Sequence, residues 1–562
     1  MISRRALLKV SGQTALLAGC APLVSTISGM NNSVRSRSIR CINVINFIRG
    51  VEPRFETDLL LPVKKQMELI VEHKLPATWL LQFDALVSGK FVDYLKSHMP
   101  DNHEVGFWFE MNEMHCNAAG VDWRGRPGYE WDHYPTVAFT IGYTEAERIK
   151  LADTAMEKFK SIWGKYPSSI ASWNLDSITM AHLSSKYGID AYAVCRDQIA
   201  TDGFTIWGAP IAGYYPSTTN CWSPAVHKQN QISTPVFRML GQDPVYYYDT
   251  ELKLPDGRRI HEPDTMEPVW TSGRSASFNK EFLSMISDSP TLKFAYAQLG
   301  QENSFPWRDQ SEAYPKQMKA LAALRDAGSV HVETMGDSGR RFKKAFSMTP
   351  TQAQIMLTDP YENTEPAQTT AWYQSRFYRA DLHFKGDLPY LRDLTVYSDH
   401  NPQPFLTMAT TSHDVEQRMP AVLDGFHWST HHDISKEPGS GGFFALGGQR
   451  LRLTGKPKIT ESGNSLIGEL PVQGGKVLHI RFDEQSVHIQ LTPTSGELLT
   501  LDFEWDPKKS SFVGISGQHV NYRWQNFDYS MTVQTGSASV TPTGFSVAGT
   551  HGVIALNLTQ KS

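Results

Sequence analysis

The chain opens in one hydropathy rhythm and closes in another. Between residue 41 and about residue 345, short apolar runs alternate with longer amphipathic stretches. Residues 41–48 (Cys-Ile-Asn-Val-Ile-Asn-Phe-Ile) read as a buried strand and 63–73 as the helix after it. Residues 77–83 read as a second strand, 89–98 as a helix and 104–110 as a third strand. Thr144, with Glu147 three positions on, forms a capping box that opens a long helix to Trp163. Further strands are expected at 170–175, 191–196, 292–298 and 330–335, with helices near 178–187 and 311–327. Alternation of this kind implies parallel strands joined by crossover helices, in a sheet or a barrel of about seven units. Segment 203–290 breaks the rhythm with Pro, Gly, Tyr and Trp. It is too aromatic for disorder and is expected to wall a cleft.

After about residue 365 the apolar positions fall into period two. Segments 375–384, 394–398, 451–454, 476–482, 486–491, 498–503 and 553–558 alternate, with Gly, Asn, Asp and Pro between them. That pattern predicts an antiparallel β-sandwich. The glycine-rich loop 439–442 has no helix after it, so it is not a phosphate cradle. The expected organisation is a processing signal at 1–20, a tether at 21–40, a barrel at 41–350 and a sandwich at 365–562. Thr349-Pro350 and the 359–366 stretch mark the junction.

The first twenty residues carry an address. Ser3-Arg4-Arg5-Ala6-Leu7-Leu8-Lys9 reads as a twin-arginine export signal, and Leu17-Ala18-Gly19-Cys20 as a lipoprotein cleavage box. The apolar core between them is too short to span a bilayer. A bacterial protein exported to the cell envelope and lipidated at Cys20 is therefore expected, in the periplasm or the outer membrane. No other apolar stretch approaches the about 18 residues of a membrane helix, so lipid would be the only membrane attachment. The net charge of −4 and the lack of any basic run beyond the signal argue against nucleic acid as a partner. Fourteen Trp and 21 Tyr suit a carbohydrate cleft, because sugar C–H faces stack on rings. Of the five cysteines, Cys41, Cys116, Cys195 and Cys221 lie in no CxxC pair and read as buried thiols.

Polar residues gather at the C-terminal ends of the expected strands, where parallel α/β folds place their sites. Arg49, Glu52 and Arg54 follow the first strand, and Glu110, Glu113 and His115 the third. Trp173 and Asp176 follow the fourth, and Arg196, Gln198 and Asp202 the fifth. Gln298, Gln301 and Glu302 follow the next, with Trp207 and Trp307 as further aromatic wall. Cleaving a glycosidic bond needs one ionised and one protonated carboxyl group, held ~5–5.5 Å apart for retention or ~6.5–9.5 Å for inversion. Asp176 as nucleophile and Glu302 as proton donor could supply them from neighbouring strands, with a nearby Trp desolvating one of them. Arg49, Arg54 and Arg196 either bind a substrate carboxylate or sulfate or pair with Glu52, Glu110 and Asp202. Glu110, Glu113 and His115 could hold a metal, but their spacing matches no standard set, and local hydrogen bonding is the expected role.

These residues and their order resemble the superfamily that unites polysaccharide deacetylases with glycoside hydrolase families 38 and 57. Ser172-Trp173-Asn174-Leu175-Asp176 is similar to the family 57 nucleophile strand, in which a Trp precedes the carboxylate by three. Gln301-Glu302-Asn303-Ser304-Phe305-Pro306-Trp307 is similar to its acid-bearing strand. The resemblance spans about residues 41–345 in organisation and these two segments residue by residue. It implies an irregular seven-stranded (β/α) barrel with a β-rich C-terminal domain. The whole chain also resembles a group of bacterial secreted proteins within this superfamily, which supplies no activity. Asp176 stands where family 57 has Glu, as in family 38, and Gly300 stands where its acid would be, so Glu302 must substitute. The family 57 His-Gln-Pro opening is missing. So are the Asp pair after strand one and the His-x3-His pair that deacetylases use for metal. The expectation is a glycoside hydrolase without a cofactor. The rivals are a metal-dependent polysaccharide deacetylase and a non-catalytic glycan-binding lipoprotein.

Overall fold

The computed structural model describes residues 38–249, 252–253, 259–260, 265–270, 273, 275–361, 364–494 and 496–560. The twin-arginine motif, Cys20 and the tether up to residue 37 lie outside the described residues. Strand β1 (Ile39–Ile48) takes in the last two residues of the expected tether, and its last eight residues are buried. Burial on both faces is what a central parallel strand requires, and it explains why this segment reads as one apolar run.

Strands β2 (Thr78–Leu81), β3 (Glu104–Trp108), β4 (Ser169–Ser172) and β5 (Ala191–Val194) follow it in parallel, each beside the last. After β5 the chain makes the hairpin β6 (Gln198–Thr201) and β7 (Phe204–Trp207), then β8 (Gly213–Tyr214) and β9 (Val236–Arg238). A small ladder, β10 (Leu252–Lys253) and β11 (Arg259–Ile260), precedes β12 (Phe294–Leu299) and β13 (His331–Val332). The main sheet runs β12-β1-β2-β3-β4-β5-β9-β8, parallel except for β8 against β9. It is a nearly closed, barrel-like sheet. Among the described residues no backbone ladder closes the ring; across the seam Phe237 of β9 stacks on Tyr296 (4.6 Å) and Phe294 (5.9 Å) of β12, and Leu240 N donates to Gln298 Oε1 at 2.7 Å. The seventh parallel strand is therefore β9, a three-residue element inside the segment expected only to wall a cleft. The 330–335 segment instead supplies β13, which pairs with β1 off the ring, and Met335 already opens the helix Met335–Ala345.

The helices on this sheet include α1 (Leu60–Glu72), α2 (Phe83–Val87), α3 (Gly89–His98) and α4 (Glu113–Ala119). They continue with α5 (Pro135–Ala138), α6 (Glu145–Trp163) and α7 (Ser177–Tyr187). The capping box at α6 forms as expected: Thr144 N donates to Glu147 Oε2 at 2.8 Å while the Thr144 hydroxyl accepts from Glu147 N.

The antiparallel pattern begins at β14 (Gln352–Met356), ahead of the expected residue 365. It proceeds through β15 (Gln368–Gln374), β16 (Tyr378–Lys385) and β17 (Leu388–Val396). Strands β18 (Val415–Arg418), β19 (Ala421–Asp424) and β20 (Gly441–Leu446) come next. Segment 451–454 forms no strand. A ten-stranded antiparallel sheet built on β14–β17 and β20 faces an eight-stranded one formed by strands between 458 and 557. Tyr373 stacking on Phe482 at 5.7 Å is one contact between them. β18 leaves both sheets and pairs in parallel with β7, so this part of the chain braces the β6–β7 hairpin of the first. Cys41, Cys116, Cys195 and Cys221 are buried free thiols. Among the described residues no helix is long and apolar enough to cross a membrane.

Candidate active site

The ends of β1 and β12 are locked together, and this creates the floor of a pocket. Asn303 and Arg49 exchange hydrogen bonds, Arg49 N to Asn303 Oδ1 at 2.9 Å and Asn303 Nδ2 to Arg49 O at 3.0 Å. Gln301 N donates to Asn46 Oδ1 at 3.1 Å. The turn between them needs glycine. Gly300 sits at φ +115°, and a Cβ there would lie 2.1 Å from Ile45 O. No acid could occupy position 300, and the carboxylate of this strand end is Glu302.

Arg49 is the hub. Its guanidinium is buried, pairing with Glu302 at 2.7 Å (Nη1 to Oε2) and with Glu110 at 3.0 Å (Nη2 to Oε2). Burial alone would lower the pKa of Arg49, but Glu110, then Glu302 and Glu52, hold it well above its usual value. Burial pushes the Glu110 carboxyl up, with Arg49 opposing. Trp131 donates its indole N–H to Glu110 at 3.1 Å. Its ring lies 4.2 Å from the Arg49 guanidinium carbon and 4.1 Å from that of Arg54. Arg54 in turn forks onto Glu52, with both contacts at 2.5 Å. Arg49 and Arg54 thus pair within the protein, rather than standing ready for a substrate anion.

Arg49 and Glu302 open into a pocket of about 460 Å³, counting its open mouth, at the C-terminal ends of the parallel strands. Gln198, Thr201, Asp202 and Phe204 come to it from the β6–β7 hairpin, and Trp173 from the end of β4. Asp202 (φ +50°) and Gly203 (φ +77°) form the two-residue hairpin turn. A Cβ at Gly203 would meet His413 O at 2.1 Å, and Val415 N bonds Gly203 O at 2.8 Å, so the strap before β18 seats the turn. Trp173 stands edge-on to Phe47 (5.2 Å) and Trp108 (5.0 Å), which are themselves stacked at 3.9 Å. Glu267, Trp270 and Phe305 complete the lining, with Trp270 edge-on to Phe305 at 5.8 Å. Glu267 accepts from Thr265 Oγ1 at 3.0 Å and from Gln301 Nε2 at 3.4 Å, which ties it to the Glu302 strand end.

The pocket thus gathers Arg49, Trp173, Gln198, Asp202 and Glu302 from the expected set, with Glu110 behind Arg49 and Gln301 behind Glu267. Asp176 is elsewhere. It is fully buried as the N-cap of α7, with Oδ1 accepting from Thr179 N at 3.0 Å and Oδ2 from the Thr179 hydroxyl at 2.6 Å. Arg148 Nη1 lies 3.2 Å from Oδ1. Both oxygens are engaged in holding a helix, so this geometry does not support Asp176 as a nucleophile. Trp207 is buried against Tyr247, Tyr248 and Phe426, and Trp307 packs on Tyr314, so neither walls the pocket. Arg196 is buried and donates to Asp197 O at 2.7 Å. Glu110, Glu113 and His115 diverge: Glu113 is exposed, while His115 points into the core, stacked on Phe83 and bonded to Leu151 O. Burial lowers the His115 pKa to about 4. Among the described residues no group of three His, Cys, Asp or Glu is placed to hold a metal.

Glu267, Trp270, Thr201 and Phe204 were not singled out from the sequence. Glu267-x2-Trp270, a carboxylate three residues from a Trp, was the available signal; it lies where hydropathy has no period.

No family model matches the chain, and no curated protein matches its sequence. Among solved structures it is similar to a candidate glycoside hydrolase/deacetylase from Parabacteroides distasonis. That match has 15% identity and a TM-score of 0.50, covering 69% of this chain and 92% of that one. A candidate polysaccharide deacetylase from Mycobacterium smegmatis matches at 14% identity and a TM-score of 0.34, over 56% of this chain and 96% of that one. The first likeness, at this identity, is one of fold alone.

Proposed function

We propose that the protein is an exported, lipid-anchored glycoside hydrolase acting on oligo- or polysaccharide in the cell envelope. The observation that carries this reading is one pocket, at the strand ends, lined by Asp202, Glu267 and Glu302 together with Trp173, Trp270 and Phe305. Rings stack on sugar C–H faces, and carboxylates both bind hydroxyls and cut the glycosidic bond. Glu302, held in its ion pair with Arg49, takes the part of the charged carboxylate that attacks or stabilises the anomeric carbon. Glu267 takes the part of the proton donor to the leaving oxygen, and Asp202 binds substrate from the hairpin tip. Glu302 thereby exchanges the donor role expected from the sequence for the charged one, because it lies in a 2.7 Å ion pair with Arg49. The fold shared with the P. distasonis protein supports action on carbohydrate in general.

That protein's class name also couples hydrolase with deacetylase, which keeps deacetylation as the second reading. The metal-dependent form fits poorly. Arg49, Gly50 and Val51 follow β1 where a deacetylase carries its Asp pair, and His115 is turned into the core. No step is assigned to a metal. Incubating the purified protein with a polysaccharide panel and measuring reducing ends and acetate in parallel tests both readings. New reducing ends without acetate are expected. Acetate alone would establish deacetylation, and tight binding with neither product would make the protein a glycan binder.

A further inference from the structure

A second pocket, of about 360 Å³ with its mouth included, opens on the antiparallel part of the chain. Three elements build it: the ends of β16 and β17, the 425–440 loop before β20, and Tyr248-Asp249 from the barrel insertion. It shares no lining residue with the strand-end pocket. Its lining carries Arg392, Lys385, Asp249 and Asp433, with His431 and His432 beside them. Arg392 is committed, donating Nε to Asp381 at 2.6 Å and Nη2 to Pro244 O at 3.0 Å, with Tyr248 under its guanidinium at 4.6 Å. Lys385 is only 8% exposed, yet among the described residues its ammonium makes no hydrogen bond or ion pair. Asp249 accepts only a 3.5 Å contact from Gln368 Nε2 and forms no ion pair with Lys385.

The ammonium of Lys385 and the carboxylate of Asp249 both open into the pocket, so a ligand there could supply the hydrogen bonds that the protein does not. Burial lowers the Lys385 pKa and raises that of Asp249; Asp249, then Asp433 and Glu437, act favourably on Lys385 through space, and Arg392 acts against it. Both line the same pocket and stand too far apart for an ion pair, so a small polar group held there could reach both. A hydroxyl does this with one atom, its O–H donating to the carboxylate and its lone pair accepting from the ammonium. An anion would satisfy Lys385 but repel Asp249. Tyr390 and Tyr248 add ring surface to the pocket, as a sugar ring needs. We propose that this pocket binds a neutral sugar residue, whose hydroxyls bridge Lys385 and Asp249. This site rests on its own residues and stands whether or not the strand-end pocket is hydrolytic.

The test is a titration of the full chain with methyl glucoside, galactoside, mannoside and N-acetylglucosaminide, by ligand-observed NMR and calorimetry. A Trp173→Ala variant removes the contribution of the strand-end pocket. Saturable binding of at least one glycoside, at about millimolar Kd, should survive in that variant. It should weaken about tenfold or more in Lys385→Met and in Asp249→Asn. Asp249→Asn is isosteric, so it carries the test alone if Lys385→Met folds poorly. Acetate and inorganic phosphate should not compete. Binding lost in Trp173→Ala but unchanged in Asp249→Asn would overturn the proposal. So would saturable phosphate or acetate binding that depends on Lys385, or no glycoside binding at all.

Discussion

Two strand ends carry a carboxylate and then a turn, and they meet opposite fates. After β4, Asp176 passes directly into α7 and its side chain closes on Thr179, three residues on. After β12, Gly300 bends the chain sharply, Asn303 pins it to β1, and Glu302 is left facing the pocket beside Arg49. The difference lies in the residues just beyond each acid. Asp-x-x-Thr before an amphipathic run is a helix cap, and a cap uses the lone pairs that catalysis would need. Being a strand-end carboxylate was shared by both residues, so it could not separate them.

Substitutions that exchange these fates should produce unlike losses. The largest effect is expected at Glu302→Gln and Glu267→Gln, with turnover on a hydrolysed glycan falling roughly 10³-fold or more and the melting temperature little changed. Gly300→Ala should destabilise by at least about 3 kcal/mol in denaturant unfolding, because a Cβ there collides with Ile45 O and the left-handed backbone is strained. Asp176→Ala should cost about 3–5 kcal/mol by stranding buried Arg148 and uncapping α7. Asp176→Asn should cost less, since Asn also caps. In both, activity per folded molecule should stay within a few-fold of native. A catalytic loss in Asp176→Asn as deep as that in Glu302→Gln would erase the distinction between the two strand ends.

The smallest effect is a pH dependence beneath the pocket. Burial raises the Asp84 carboxyl from the usual 3.8 to about 6, although Val51 N and Ala85 N donate to it. A carboxyl raised on folding contributes stability that is complete below its unfolded pKa and is lost as pH rises through the folded one. The melting temperature of the native protein relative to Asp84→Asn should therefore fall between pH 4 and pH 7. A flat difference across that range would show that Asp84 titrates normally.

Much of the barrel was legible because its elements announce themselves locally. β1 is an unbroken apolar run, and the Thr144–Glu147 box forms where the sequence placed it. β9 was not legible. Val236-Phe237-Arg238 is too short for any period, and its strand character comes only from pairing with β5. The same holds for β18, whose partner β7 lies far earlier in the chain, with Arg418 paired to Trp207. In the pocket, Arg49, Trp173, Asp202 and Glu302 were readable as strand-end residues. Glu267 and Trp270 were not, since the segment that carries them has composition but no rhythm. Asp176 and Trp207 were expected at the cleft but lie away from this pocket for one reason: hydropathy registers that a residue is polar or aromatic, and leaves open which way its side chain turns.

In the function proposed above, catalysis belongs to the pocket of Glu302 and Asp176 only holds the fold. The most direct measurement is single-turnover cleavage of one responsive glycan by purified native, Glu302→Gln and Asp176→Asn proteins, each normalised to its folded fraction. Near-native cleavage is expected from Asp176→Asn and almost none from Glu302→Gln. Cleavage that survives in Glu302→Gln and vanishes in folded Asp176→Asn would contradict this assignment.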